Sequence, residues 1–181
     1  MKKNVLVITG SPRKGGNSDL MADAFIEGAK SAGHIVTKWC SGEKKIEGCR
    51  ACETCFSTGK ACSFDDDFNQ LAPLIEKAEV LVLATPVYWF SYPAQIKAAI
   101  DKMYSFYMGK RSLKIKESVL LTCAEMDDMS VFDGMKTTYD HIRSFLQWEN
   151  RGYLAVPSVH AAGDIIGTTA LHKARALGSE L

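Results

Sequence analysis

Four cysteines stand at Cys49-x2-Cys52-x2-Cys55-x6-Cys62. Thiolates at two-residue spacing on an irregular stretch can converge on one centre, and a fourth arriving after a turn that contains Gly59 completes a four-ligand set. The run departs from the bacterial cluster pattern, in which the fourth cysteine follows after three residues and precedes a proline. Zinc usually takes two separated pairs. A metal cluster, a zinc ion, a Cys-x-x-Cys redox pair and thiols that bind nothing are all open on these residues alone. Cys40 and Cys123 lie outside the spacing and read as small buried residues.

A second stretch, Gly10-Ser-Pro-Arg-Lys-Gly-Gly-Asn-Ser18, has the chemistry of an anion site. A small-residue loop that feeds a helix presents backbone N–H groups and the positive end of the helix dipole. Arg13 adds a planar donor suited to phosphate, while Ser11, Asn17 and Ser18 add neutral ones. Asn17 or Ser18 is also a natural N-cap. The P-loop pattern fails, because Gly16-Asn17 replaces its lysine and hydroxyl. The Rossmann fingerprint fails as well, with Pro12 where its second glycine belongs.

A third stretch, Thr85-Pro-Val-Tyr-Trp-Phe-Ser-Tyr-Pro93, puts Tyr88, Trp89, Phe90 and Tyr92 within five positions. In a loop, such side chains stand in solvent unless they cover a flat ligand, plug a sheet edge or meet another subunit. Hydrolytic chemistry has no support: His34, His141, His160 and His172 form no pair and no Ser/His/Asp order. A phosphatase or arsenate reductase of related topology needs a cysteine nucleophile in its first loop, and Thr9-Gly10-Ser11 offers none.

The elements that must position these loops follow from periodicity. Val5–Ile8 and Val80–Ala84 are continuous apolar runs, as expected of strands covered on both faces, and Ser118–Thr122 reads as a further strand. His34–Trp39 and Gly152–Val156 complete five strands. Between them lie helical stripes: about 18–32, closed by Gly33; Phe68, Leu71, Ile75 and Ala78, where Pro73 implies a kink or a later start; Ile96, Ile100, Met103 and Tyr107 after Pro93; Phe132 to Leu146; and a last helix from about Thr168. In the first helix, Gly28 and Ala29 suit close approach to a sheet. Strands alternating with helices predict an α/β, doubly wound parallel sheet of one domain, residues 1–181, with a cysteine-rich loop at 41–65. Right-handed crossovers favour the order 2-1-3-4-5, with ligands at the carboxyl ends of strands one and three.

With 181 residues, a formal net charge of +1 and no long run of one sign, the chain gives no indication of nucleic acid or an anionic membrane as partner. Its apolar runs are far short of the ~20 residues of a membrane span, and Met1-Lys-Lys precedes too short an apolar core for a signal peptide. A cytoplasmic location is expected, where six cysteines are reduced, metal-bound or catalytic.

Two of these stretches also carry a resemblance. Gly10-Ser-Pro-Arg-x-x-Gly-Asn-Ser18 is similar to the phosphate loop of the flavodoxin-like NAD(P)H-dependent FMN reductases, and Thr85-Pro-Val-Tyr-Trp-x-Ser-x-Pro93 resembles their isoalloxazine loop. The resemblance implies that Ser11, Arg13, Asn17 and Ser18 hold the FMN phosphate. It places Pro86, Val87, Tyr88 and Trp89 along the flavin ring, with Thr122 and Ala124 as contacts from a third loop. There the chain departs from many relatives in carrying Glu125, Asp127 and Asp128. On this fold the cysteine spacing resembles the iron–sulfur flavoprotein branch, which implies a [4Fe–4S] cluster on Cys49, Cys52, Cys55 and Cys62. The implied function is an FMN-dependent oxidoreductase taking a hydride from NAD(P)H and passing electrons to flavin, quinone or a protein acceptor, as a homodimer or homotetramer. The alternative is an electron-transfer carrier reduced by a ferredoxin-type partner. In either case the flavin carries the chemistry and no protein acid or base is required.

Overall fold

The computed structural model of the protein describes residues 1–181. The chain runs β1 (Asn4–Thr9), α1 (Asn17–Ser31), β2 (Ile35–Cys40), α2 (Phe68–Lys77), β3 (Val80–Pro86), α3 (Ala94–Lys102), α4 (Tyr104–Met108), β4 (Glu117–Cys123), α5 (Asp133–Phe145), β5 (Glu149–Val156) and α6 (Ala170–Ser179). All five strands are parallel, in the order β2-β1-β3-β4-β5. This is the flavodoxin-like doubly wound sheet that the alternating elements imply.

The apolar runs divide between the two faces with the strand period of two. Leu6, Ile8, Leu81, Leu83 and Leu120 pack with Phe68, Leu71, Ile75, Ile96, Met135 and Tyr139 of α2, α3 and α5. Val5, Val7, Val80, Val82, Val119 and Leu121 pack with Met21, Phe25, Ala29 and Ala174 of α1 and α6. A strand covered on both sides has no polar face to show, which explains the uninterrupted apolar sequences.

Several local expectations are corrected. Gly28 faces α6 rather than the sheet: a Cβ on it would lie 2.0 Å from the Arg175 carbonyl oxygen, and one on Gly178 would lie 2.1 Å from that of Phe25. The two helices thus meet backbone to backbone. Pro73 neither starts nor breaks α2, which begins at Phe68 with the Phe68 N–H donating to Asp66 Oδ1 at 3.0 Å. The helix expected from Pro93 to Tyr107 is divided at Met103 into α3 and α4. β5 begins earlier than Gly152, at Glu149, and an irregularity opposite Ser118 and Val119 lets its strand continue.

Residues 44–67 contain turns and bends but no helix or strand. They are held at their ends instead. The Lys45 N–H donates to Asp67 Oδ2 at 2.8 Å, that of Glu47 to Asp66 Oδ2 at 3.0 Å, and that of Cys62 to Asn69 Oδ1 at 2.8 Å. No helix of the protein is long and apolar enough to cross a membrane.

Candidate functional site

The carboxyl ends of β1, β3 and β4 open onto a cleft of about 300 Å³. It is lined by Ser11, Arg13, Asn17 and Ser18 from the first loop, Pro86, Val87, Tyr88 and Trp89 from the second, and Ala124 from the third. Thr122 is not in its wall: the residue is fully buried within β4, and its Oγ1 has no hydrogen-bond partner. Cys123 and Glu125, on either side of Ala124, line the cleft instead.

At the phosphate end, α1 begins at Asn17 with Gly16 as N-cap, so neither Asn17 nor Ser18 caps it. The Asn17 amide is used elsewhere. Its Nδ2 donates to the Ala161 carbonyl at 2.9 Å, and its Oδ1 accepts the N–H groups of Gly163 and Ile165 at 3.1 and 3.3 Å. Asp19 Oδ2 accepts the Gly15 N–H at 2.9 Å, while its Oδ1 pairs with Lys38 Nζ of β2 at 2.7 Å. Burial alone would depress the Lys38 ammonium, but its bonds to Asp19 and Asp23 outweigh this and hold its pKa above the usual lysine range. Lys38 therefore neutralises the carboxylate nearest the anion loop. The first-turn N–H groups of α1 have no helical acceptor, and exposed Arg13 stands beside them. Gly10 permits the tight turn: a Cβ there would sit 2.2 Å from Thr85 Oγ1.

The aromatic loop is strained at its tip. Trp89 and Phe90 have φ of 46° and 64°, both left-handed without being glycine. The Val87 N–H is taken by the Cys123 carbonyl at 2.8 Å and that of Tyr88 by Ser91 at 2.9 Å, which leaves the N–H groups of Trp89 and Phe90 for a ligand. Trp89 is 94% exposed although it lines the cleft. Tyr92 behaves differently from its neighbours: it is buried, and its hydroxyl reaches the Met135 carbonyl at 3.3 Å.

Sequence reasoning did not assign His160, Glu125 or Cys123 to the cleft, and all of them line it. His160 Nδ1 lies 3.0 Å from Glu125 Oε2 across the mouth. Burial pushes the Cys123 thiol up to about 12, with Ser18 beside it only partly offsetting this, so it is a wall and not a nucleophile. Of the three acidic residues after β4, only Glu125 lines the cleft; Asp128 instead accepts the Ser130 N–H at 2.8 Å. No motif flags residues brought together from two loops so far apart in the chain.

The four cysteines of the motif all line a second pocket, with Lys102, Tyr104 and Ser105 in its wall. Burial raises the Cys55 thiol, and the neighbouring thiols of Cys52, Cys49 and Cys62 raise it further. The Thr54 hydroxyl, 3.1 Å from Cys52 Sγ, holds that thiol below the usual range. The side chains are not drawn together at the spacing that grips a single metal ion. Ala51, Glu53 and Phe56 have φ of 48°, 57° and 60°, so three non-glycine residues of the loop are left-handed. The Ser105 hydroxyl, buried in this pocket, has no partner. The two pockets have no lining residue in common.

The sequence model of the NADPH-dependent FMN reductases matches residues 3–127, which takes in both flavin-loop stretches and all four cysteines of the motif. The chain belongs to this family. Among curated relatives of this FMN reductase-family chain, an iron-sulfur flavoprotein of Archaeoglobus fulgidus is 39% identical over 99 residues, 55% of this chain and 44% of the relative. An iron-sulfur flavoprotein of Methanosarcina thermophila is 32% identical over 62% of this chain and 57% of its own. The chain thus spans about half the length of these two curated relatives. A putative NAD(P)H-dependent FMN-containing oxidoreductase of Bacillus subtilis matches over 90% of the chain and 88% of its own length at 24% identity. In fold, an NAD(P)H:quinone oxidoreductase from Methanothermobacter marburgensis superposes over 99% of this chain and 96% of its own, with a TM-score of 0.79 and 19% identity.

Proposed function

We propose that the protein is an FMN-dependent oxidoreductase that takes a hydride from NAD(P)H and passes electrons to a quinone, a free flavin or a protein acceptor. The observation that carries this reading is the convergence of three separate loops on one cleft at the carboxyl edge of the sheet. When bound, FMN supplies hydride acceptance and can release electrons singly. The chain's own residues do the holding. Ser11, Arg13, Ser18 and the first-turn N–H groups of α1 fit a terminal phosphate, with Lys38 cancelling the charge of Asp19. Asn17 contributes its backbone N–H, since its amide is occupied by the 161–165 loop. Pro86, Val87, Tyr88 and Ala124 form the apolar wall for a flat ring, and the Trp89 N–H is the donor for its polar edge.

We further propose that Cys49, Cys52, Cys55 and Cys62 hold a [4Fe–4S] cluster. Each iron of such a cluster takes one cysteine, so the thiols stand farther apart than around one ion. The four thiols lining one pocket and the unpartnered Ser105 hydroxyl in its wall support this assignment. In this reading the cytoplasmic protein is a homodimer or homotetramer, with the cluster near a subunit contact. A subunit contact would cover the apolar groove beside the cysteine pocket, where Tyr107 and Phe145 are exposed and Tyr104 lines both cavities.

The test is anaerobic. Purified protein should bind FMN stoichiometrically and oxidise NAD(P)H steadily with a quinone or free flavin. Binding of FMN with reduction only by a ferredoxin-type protein would replace the enzyme by a carrier, and failure to bind FMN would overturn the reading.

A further inference from the structure

Lys102 and Ser105 stand in the wall of the four-cysteine pocket without being candidate ligands. Lys102, at the last turn of α3, has a side chain only 4% exposed, and its one partner is the 8%-exposed carboxylate of Asp66. Ser105, on the first turn of α4, has a buried hydroxyl with no partner. Both line the pocket, whereas Asp66 does not. Asp66 stands behind it, accepting the Glu47 N–H at the start of the cysteine loop and the Phe68 N–H at the start of α2. The cationic partner of the buried ion pair thus stands in the wall that the four thiols share, and its carboxylate does not. Residues 102 and 105, three positions apart on either side of Met103, share this wall.

A buried ion pair is a weak source of stability, because removing two charges from water offsets most of their attraction. A hydroxyl buried without a partner is a net cost. Both arrangements make sense beside an anionic sulfur-ligated centre. A cation and an O–H donor favour the more negative, reduced state of such a centre, and hydrogen bonds to its sulfurs raise its potential.

We propose that Lys102 and Ser105 are positioning and tuning residues of the four-cysteine centre, raising its reduction potential, with Asp66 limiting the effect of Lys102. This rests on the reading of the loop as a cluster site. The experiment is an anaerobic redox titration of the iron- and sulfide-reconstituted protein, followed by absorbance and electron paramagnetic resonance. Lys102→Met should lower the midpoint by about 59 mV, the one-electron equivalent of a tenfold change in the equilibrium. Ser105→Ala, which deletes a single oxygen and leaves the fold intact, should lower it by a smaller amount. Asp66→Asn should raise it, because the centre becomes the only counter-charge of Lys102.

Opposite shifts for Lys102→Met and Asp66→Asn cannot come from loosening the loop, which would move both the same way. Shifts of one sign, or an unmoved potential in Ser105→Ala, would overturn the inference while leaving the cluster reading in place. A wild-type protein that takes up neither iron nor sulfide would overturn both. FMN affinity should be unchanged in all three variants, since the cleft shares no lining residue with this pocket.

Discussion

The side-chain oxygen of Asn17 accepts the backbone N–H of Gly163 at 3.1 Å, joining the first turn of α1 to a loop 146 residues farther along the chain. With the bonds to Ala161 and Ile165, one amide holds the 161–165 loop against the phosphate end of the cleft. Asn17→Ala should therefore lower stability by about 1–3 kcal/mol, the cost of leaving buried backbone groups unpaired. It should also weaken FMN binding by loosening the cleft. Thermal melts with and without FMN check both effects; a variant as stable as the wild type would make Asn17 a direct ligand only.

Arg13 is exposed, so its loss leaves no buried charge unpaired. Arg13→Ala should leave the melting temperature of the FMN-free protein unchanged. FMN affinity should fall about ten- to a hundredfold, the equivalent of ~1.5–3 kcal/mol for a charged hydrogen bond. Titration of FMN followed by flavin fluorescence measures it, and unchanged affinity would remove the phosphate assignment.

Trp89 is 94% exposed, whereas Trp39 and Trp148 are 7% and 5% exposed. FMN seated in the cleft should quench the solvent-exposed emission of Trp89. Trp89→Ala should lose most of that quenching while keeping the blue-shifted emission of the two buried tryptophans. Equal quenching in both proteins would place the ring away from this loop.

The Lys38–Asp19 pair predicts an alkaline limb of stability. The folded pKa of Lys38 lies above its ordinary 10.5, so its contribution is whole below that value and is lost as the pH rises through the folded pKa. Lys38→Met should cost about 1–3 kcal/mol at neutral pH by leaving Asp19 without its cation. The gap between variant and wild type should narrow as the pH rises above about 10.5, as denaturant titrations at graded pH would register. A gap unchanged through that range would remove the charge of Lys38 as the source of the stabilisation.

Cys55 lines the same pocket as Cys49, Cys52 and Cys62 and is less exposed than Cys49 and Cys52. Anaerobically reconstituted wild-type protein should hold about four iron and four sulfide per chain, as a four-cysteine cubane requires. Cys55→Ala should lose most of this and the associated one-electron transfer, with FMN binding intact. Iron and sulfide in equal amounts in variant and wild type would exclude Cys55 from the ligand set.

Much of the protein was legible in the chain because it depends on neighbours in sequence. Val5–Ile8 and Val80–Ala84 are apolar at every position, and such runs belong in strands covered on both faces. Crossover handedness then leaves few strand orders, and β2-β1-β3-β4-β5 is one of them. The loops that follow those strands inherit a place at one sheet edge, so Arg13 and Tyr88 share a cleft by topology alone. What the tertiary structure decided involves partners that no periodicity links. Asn17 carries the donor chemistry of an N-cap or phosphate ligand, yet its amide holds a distant loop while Gly16 takes the cap. His160 and Glu125 meet only because the loops after β5 and β4 emerge side by side. Lys102 belongs to no motif, and only its burial against Asp66 in the wall of the four-cysteine pocket singles it out. Local sequence sets which backbone forms and which residue types are at hand; which side chains face one another is decided by packing across the sheet, where a few ångströms separate residues a hundred positions apart.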